Sequence, residues 1–223
     1  MTSGLLAIVP ARGGSKGLPR KNLLDLGGKP LLAHSIEAAL ATPGIERVVV
    51  STEDEEIARA ARQWGAEVPF MRPAELAGDE SLLGEAVEHA LEALAGQGYR
   101  PRAYCLLPPS HPFRHLELME ELAARALEGF ATVGTVRRMP PRSYFEPDGA
   151  RYAPPELAQG PYFRPYGLFA AASLVPASRH FTREVSDPAG LVDIDHAEDL
   201  LRARRILAAN LFDARTGYLG CCW

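Results

Sequence analysis

The chain has 223 residues, 47% hydrophobic and 23% charged, with a formal net charge of −4. This length suffices for one substantial core, and the composition is ordinary for a globular enzyme. A net negative charge argues against a general nucleic-acid surface, and no apolar run approaches the roughly 20 residues that span a bilayer. No nucleic-acid or membrane partner is therefore expected. With no signal-peptide pattern and three cysteines without metal-ligand spacing, a cytoplasmic location is expected.

Strand and helix patterns alternate along the first 130 residues. Strands are predicted at 5–9, 46–51, 66–70 and 103–107, and helices at 30–40, 82–94 and 116–127. A further helix is predicted to begin at a capping box, Thr52-x-x-Glu55, and to end at Gly65. This alternation predicts an α/β fold with a mostly parallel sheet, helices on both faces and ligands at the carboxyl ends of the strands.

The pattern changes after residue 130. A strand is predicted at 132–137 and a final helix at 196–210. Between them, 138–167 is rich in Pro, Gly, Tyr and Arg and lacks a helical period, which indicates hairpins and loops. We therefore assign 1–137 and 168–223 to the α/β domain and 138–167 to a small excursion that serves dimerisation and acceptor contact.

The loop after the first strand combines glycines with cations. It contains Gly13, Gly14 and Gly17 among Arg12, Lys16, Arg20 and Lys21. Glycine lets a backbone approach a ligand closely, and basic side chains donate charge-assisted hydrogen bonds to phosphate oxygens. The glycine spacing matches neither the P-loop nor the dinucleotide fingerprint. The loop predicts a polyphosphate site, and a solvated basic turn is the alternative.

Asp193 and Asp195 form the second candidate site. Strand alternation places both carboxylates on one side, where they repel each other unless a cation lies between them. Mg²⁺ takes one or two carboxylates together with phosphate oxygens. In the alternative interpretation, Asp195 caps the helix that begins at His196 and Asp193 is solvated. Asp195 could also do both.

Several single residues have two interpretations each. Arg72 could contact a base or a phosphate, and Asp79 could cap a helix that begins near residue 80. Ser110 could donate to a ligand, whereas Arg114 could form a structural ion pair. Arg164 could bind a substrate carboxylate in bidentate fashion or lie on the surface. The six histidines show no ligand spacing.

Six segments, taken in chain order, resemble the sugar-acid cytidylyltransferases, in particular the acylneuraminate cytidylyltransferases. Each is weak alone, and their order makes the likeness specific across nearly the whole chain. The segments are 10–22, 50–54, 72–79, 106–114, 163–167 and 192–195.

The resemblance implies a nucleotide-binding α/β fold and a homodimer. It implies a reaction in which CTP and a 2-keto-3-deoxy sugar acid give the CMP-sugar and pyrophosphate with Mg²⁺. The implied nucleotide contacts are Arg12, Gly13, Gly14, Ser15, Lys16, Lys21, Asn22 and Arg72, of which Asn22 and Arg72 contact cytosine. The implied acceptor contacts are Ser110, Arg164 at the carboxylate, and Tyr166. The implied metal ligands are Asp193 and Asp195, and the implied catalytic residues are Arg12, Lys16 and Asp193.

The chain departs from the family pattern at three places. Pro108 replaces a glutamine, Tyr166 replaces an asparagine, and Leu82 and Leu83 stand where a serine pair is usual. These departures leave nucleotidyl transfer in place but argue against sialic acid itself as the acceptor, and a related nonulosonic acid or another sugar acid is expected. The alternatives are transfer from another nucleotide such as GTP, and a nucleotide-binding module without catalysis.

Overall fold

A computed structural model describes residues 4–78, 80–139, 144–145, 151–152 and 162–218. The helices are α1 (Leu31–Ala41), α2 (Glu55–Gln63), α3 (Leu83–Gly96), α4 (Leu116–Leu127) and α5 (Ala197–Ala208). The strands of the main sheet are β1 (Leu5–Pro10), β2 (Ile45–Ser51), β3 (Ala103–Leu106), β4 (Thr132–Met139), β7 (Tyr162–Ser173) and β8 (His180–Glu184). Two short hairpins pair β5 (Tyr144–Phe145) with β6 (Arg151–Tyr152), and β9 (Phe212–Asp213) with β10 (Gly217–Tyr218).

The main sheet has the strand order β2-β1-β3-β7-β4-β8. Strand β1 pairs in parallel with β2 and β3, and β4 pairs in parallel with β8, whereas β7 runs antiparallel to both of its neighbours. The prediction of a mostly parallel α/β sheet is confirmed. Because β1, β2 and β3 share one direction, the loops that follow them meet at one edge.

Strand β1 is buried on both faces, as its unbroken apolar sequence requires. Leu5, Ala7 and Val9 face a cluster that includes residues of α1 and α4, whereas Leu6 and Ile8 face α3. Burying each large aliphatic side chain contributes about 1.5–3 kcal/mol. The sheet is therefore covered by helices on both sides, and the loop after β1 begins at a rigid point.

Two local predictions are wrong. Residues 66–70 form an isolated bridge between Val49 and Glu67 rather than a strand, because Pro69 has no N–H to extend a ladder. The start of α2 is capped by Asp54, whose Oδ1 accepts from the N–H groups of Glu56 and Ile57, each at 2.9 Å. The predicted capping box between Thr52 and Glu55 is therefore absent.

The predicted excursion is described only in part. Residues 162–167, which the sequence assigned to it, belong to β7 of the main sheet. Residues 138–139 end β4 of the same sheet, and the pair β5 and β6 is the remaining described part. Residues 140–143, 146–150 and 153–161 lie outside the described residues. Dimerisation by this segment stays a prediction. Within the described ranges, no helix combines the length and apolar character that a membrane crossing requires.

Candidate active site

A cavity of about 310 Å³ lies where β1 and β3 end. This volume is in the range of small-molecule sites. Its described lining contains three basic side chains and no acidic one, which favours an anionic ligand. The polar lining consists of Arg12, Lys21, Arg72, Asn22, Ser15, Ser81 and Ser110.

Hydrogen bonds within the protein hold the loop after β1. The buried Asn22 side chain donates from Nδ2 to the Arg12 carbonyl at 2.8 Å. The Gly13 N–H donates to Oε1 of Glu53 at 2.6 Å, so this group bonds to the protein, and Gly13 is not among the described lining residues. A Cβ on Gly14 would meet nothing within 4 Å, and Gly14 lines the cavity. The predicted loop residues therefore divide into those that shape the loop and those that face the cavity.

Arg72 is fixed in the cavity wall. Its Nε donates to Oγ of Ser51 at 3.1 Å, and its NH2 donates to the Ser51 carbonyl at 2.6 Å. The side chain is buried, and burial lowers its pKa. A guanidinium held by the end of β2 can present its remaining N–H groups without further ordering.

Two of the loop cations lie away from this cavity. Arg20 has a left-handed backbone with φ of 55° and forms ion pairs with Asp54 and Glu56 at the start of α2. The Arg20 guanidinium holds the pKa of Asp54 below its usual range. Arg20 therefore bonds to the protein, and it is not among the residues that the resemblance assigns to the nucleotide. Lys16 is exposed and does not belong to the described cavity lining.

The acidic pair lies against the basic loop. Lys21 Nζ is 2.9 Å from Oδ1 of Asp195, and it lowers the pKa of that carboxyl. A Cβ on Gly17 would be 2.2 Å from the Asp195 carbonyl oxygen, so only glycine allows this approach. The alternative in which Asp195 caps α5 is wrong, because the N-cap residue is His196. Oδ2 of Asp199 accepts from the N–H groups of His196 and Asp195 at 2.8 and 3.1 Å.

Asp193 has a different environment from Asp195. Burial raises its pKa and the nearby Asp195 charge acts in the same direction, whereas the Ser110 hydroxyl opposes them. Its Oδ1 is buried and has no hydrogen-bond partner among the described residues. Among the residues that the structure describes, no group of three or more His, Cys, Asp and Glu side chains is placed to hold a metal. Two carboxylates with one unpartnered oxygen fit a Mg²⁺ ion that takes its other ligands from phosphate and water.

His111 is a site residue that the sequence analysis missed. It follows Ser110 directly, and its Nδ1 lies 2.9 Å from the Ser110 Oγ and 3.7 Å from Oδ1 of Asp193. Burial lowers its pKa to about 3, so the ring is neutral. The ring packs edge-on against Tyr166 at 4.6 Å. The sequence feature that could have identified His111 is its position next to the candidate Ser110 in the proline-rich segment after β3.

Arg114 has a structural role, but the predicted ion pair is wrong. Its buried guanidinium donates to the carbonyls of Pro108, His111 and Leu168 and to the Ser35 hydroxyl. Burial lowers its pKa to about 9. These bonds fix the segment that carries Ser110 and His111 to both α1 and β7.

Arg164 lies on β7, exposed, directly opposite Arg137 of β4. It is not among the described lining residues of the cavity. Tyr166, two residues further, is 5% exposed. The three predicted acceptor residues therefore differ in position: Ser110 lines the cavity, Tyr166 packs behind it, and Arg164 lies on the exposed part of the same strand as Tyr166.

The sheet and the electropositive cavity define an α/β protein of the nucleotidyltransferase type. A family described as cytidylyltransferase matches residues 6–128, which is more than half of the chain. The chain therefore belongs to the cytidylyltransferase family, which confirms the family resemblance, and four of the six ordered segments (10–22, 50–54, 72–79 and 106–114) lie within the matched residues.

Several characterised relatives match about half of this chain. It is 40% identical over 116 residues to a pseudaminic acid cytidylyltransferase of Campylobacter jejuni, which covers 52% of this chain and 50% of that protein. It is 44% identical over 113 residues to a CMP-N,N'-diacetyllegionaminic acid synthase of Legionella pneumophila, covering 51% and 49%. An N-acylneuraminate cytidylyltransferase of Escherichia coli is 43% identical over 114 residues, covering 51% and 26%. The chain thus spans about half the length of the first two relatives and less of the third.

Solved structures support the fold over a longer stretch. A CMP:2-keto-3-deoxy-manno-octonic acid synthetase complexed with CTP has a TM-score of 0.69 at 19% identity, covering 93% of this chain and 100% of that one. A 4-diphosphocytidyl-2C-methyl-D-erythritol synthase of Anaerococcus prevotii has a TM-score of 0.66 at 12% identity, with the same coverage. At these identities the likeness concerns the fold alone.

Proposed function

We propose that this protein transfers a cytidylyl group from CTP to the anomeric hydroxyl of a 2-keto-3-deoxy sugar acid and releases pyrophosphate. One observation carries the proposal: the basic loop and the acidic pair meet at the edge of one cavity, through Lys21 and Asp195. Membership of the cytidylyltransferase family and the names of the relatives support the nucleotide and the class of acceptor.

The roles of the basic residues follow from charge. Attack on the α-phosphorus, with pyrophosphate leaving in line, needs positioning and charge neutralisation. Arg12 and Lys21 line the cavity and would bind phosphate oxygens. Lys16, exposed on the same loop, is proposed to bind the triphosphate as well. Asn22 and Arg72, both fixed by hydrogen bonds in the wall, would contact the cytosine.

Asp193 is the proposed general base. A carboxylate is a better base when its pKa is raised, and burial raises the pKa of Asp193. Its buried Oδ1 has no hydrogen-bond partner among the described residues, so its capacity to accept a proton is unused. Asp195, held by Lys21, would keep its charge throughout.

Asp193 and Asp195 are also the proposed ligands of Mg²⁺. When bound, Mg²⁺ would offset the charge on the triphosphate. The residues of this chain would hold the ion at the cavity edge, where Lys21 orients the Asp195 carboxylate. If Asp193 binds the ion directly, a water molecule that it orients would replace it as the base.

The acceptor is proposed to be a nonulosonic acid. Three relatives are named for such acids, namely pseudaminic, N-acylneuraminic and legionaminic acid. Pro108, Leu82 and Leu83, which depart from the family pattern, all line the cavity. The departures thus lie where they would alter contacts to the ligand, which favours an acceptor other than sialic acid. A homodimer and a cytoplasmic location stay predictions.

Pyrophosphate release tests the proposal. The protein is incubated with Mg²⁺, each of the four nucleoside triphosphates, and pseudaminic, N-acetylneuraminic, N,N'-diacetyllegionaminic or 3-deoxy-manno-octulosonic acid. We expect release with CTP and at least one nonulosonic acid, and release with GTP instead would support the alternative nucleotide. CTP binding without turnover on any acceptor would support the binding module.

Asp193→Asn should abolish turnover, because it removes the proposed base. Glu120→Gln, which changes an exposed carboxylate on α4, should leave turnover intact.

A further inference from the structure

A cluster of polar side chains extends from the cavity towards β4 and β7. It consists of Asp193, His111, Tyr166 and Arg137, and we call it the His111 cluster. Ser110 lines the cavity and touches His111, whose ring lies against Tyr166. The Arg137 guanidinium carbon lies 5.5 Å from the centre of the Tyr166 ring. The cluster is therefore a continuous path from the proposed reaction centre to the sheet.

Each member of the His111 cluster has a buried polar atom with no hydrogen-bond partner among the described residues. These atoms are Oδ1 of Asp193, Nε2 of His111, Oη of Tyr166 and Nε of Arg137. Leaving one buried polar group unpaired costs about 1–3 kcal/mol, and folded proteins contain few such groups. Four of them along one path indicate that a polar ligand completes their hydrogen bonds.

The cations of the two strands indicate the charge of that ligand. Arg137 of β4 pairs in register with Arg164 of β7, so the two arginines face each other across the strands. Like charges placed directly opposite each other are destabilising, and an anion between them removes the cost. Arg137 is partly buried, whereas Arg164 is exposed. A buried guanidinium binds a carboxylate more strongly because less water competes.

The chemistry of the acceptor places its carboxylate near the reaction centre. In a 2-keto sugar acid, the carboxylate is bonded to the anomeric carbon that carries the attacking hydroxyl. A base at Asp193 therefore requires a cation close by for the carboxylate. Contacts link Arg137 to Asp193: the Arg137 guanidinium lies over the Tyr166 ring, that ring packs against His111, and His111 Nδ1 is 3.7 Å from Oδ1 of Asp193.

We propose that Arg137, rather than Arg164, is the principal binding residue for the acceptor carboxylate, and that Tyr166 and His111 bind hydroxyl or amide groups of the same sugar acid. The Arg137 guanidinium forms a cation–π contact with the face of the Tyr166 ring, which helps to hold it in place. This inference rests on the proposed function, and it assigns acceptor recognition to three residues that do not line the nucleotide cavity.

Matched arginine variants test the inference. Arg137→Gln and Arg164→Gln are compared with Arg138→Gln, whose side chain is exposed and pairs with Glu184. KM and kcat are measured for CTP and for the best sugar acid found in the pyrophosphate assay. We expect Arg137→Gln to raise the KM for the sugar acid about tenfold or more, with the KM for CTP nearly unchanged. Arg164→Gln should have a smaller effect, and Arg138→Gln none.

A substrate analogue separates carboxylate binding from a general loss of structure. The wild-type protein should prefer the sugar acid over the analogue in which the carboxylate is an amide, and Arg137→Gln should lose most of that preference. Tyr166→Phe, which removes only Oη, should raise the KM for the sugar acid several-fold and keep the preference. Thermal unfolding checks that each variant is folded.

The outcomes distinguish this inference from the function on which it rests. A wild-type chain that turns over no sugar acid would overturn both. An active wild-type chain whose Arg137→Gln variant keeps its KM and its preference for the carboxylate would overturn only the role of Arg137. A larger loss in Arg164→Gln than in Arg137→Gln would assign the carboxylate to Arg164 instead.

Discussion

Lys21 Nζ lies 2.9 Å from Oδ1 of Asp195, although 174 positions separate the two residues in the chain. The contact joins the loop after β1 to the segment before α5. It brings a cation that lines the cavity next to a carboxylate that is proposed to bind Mg²⁺.

Removing the Lys21 charge should weaken CTP binding. Lys21→Met deletes one of three described basic side chains in the cavity lining and leaves Asp195 without its partner. We expect the KM for CTP to rise about tenfold or more, measured by pyrophosphate release. The control is Lys29→Met, because Lys29 also forms an ion pair, with Glu37, but is not in the described lining. An equal effect in both variants would contradict the role of Lys21.

Gly17→Ala should separate the basic loop from the acidic segment. The added Cβ would lie 2.2 Å from the Asp195 carbonyl oxygen, a backbone atom that cannot move alone. A displacement of about 1 Å at a reaction centre can lower the rate about a hundredfold. We therefore expect the turnover number of Gly17→Ala to fall by about one to two orders of magnitude. Steady-state kinetics measures the loss. The control is Gly84→Ala in the first turn of α3, where a Cβ meets nothing within 4 Å.

Arg114→Met should destabilise the fold. The change removes the Arg114 donor from three carbonyls and from the Ser35 hydroxyl in a buried environment. The Pro108 carbonyl keeps two other donors, the His111 N–H and the Ser35 hydroxyl. We expect the free energy of unfolding to fall by about 3 kcal/mol, measured by urea denaturation. Arg125→Met, which breaks an exposed pair with Glu128, should change it by no more than about 0.5 kcal/mol. Equal losses would show that Arg114 does not stabilise the segment after β3.

His34 should make stability depend on pH. Burial lowers its folded pKa to about 4 from 6.5, so the unfolded chain binds more protons between these values. The contribution is complete above pH 6.5 and is lost as the pH falls towards 4. His34→Gln keeps a donor near the Leu26 carbonyl but cannot titrate. Its free energy of unfolding should decline less steeply in this window, by up to about 1.4 kcal/mol per pH unit. Parallel profiles for the two proteins would refute this.

The order of elements followed from local sequence. Helix α4 spans the predicted residues 116–127. Strands β1 and β3 each differ from the prediction by one residue at one end, and α1 is shifted by one residue. The reason is that hydrophobic periodicity and turn residues act over a few positions, and these segments carry both signals clearly. The wrong prediction at 66–70 also has a local cause, because Pro69 has no N–H and the pairing stops at the single bridge between Val49 and Glu67.

By itself, the sequence determined the α/β class, the basic loop, the acidic pair and the family. The tertiary structure alone decided which charges meet. Arg20 pairs with Asp54 and Glu56, Lys21 pairs with Asp195, and Arg137 faces Arg164 beside Tyr166. The physical reason is that these partners are set by strand order and register. Both depend on packing between segments far apart in the chain, which no local pattern encodes.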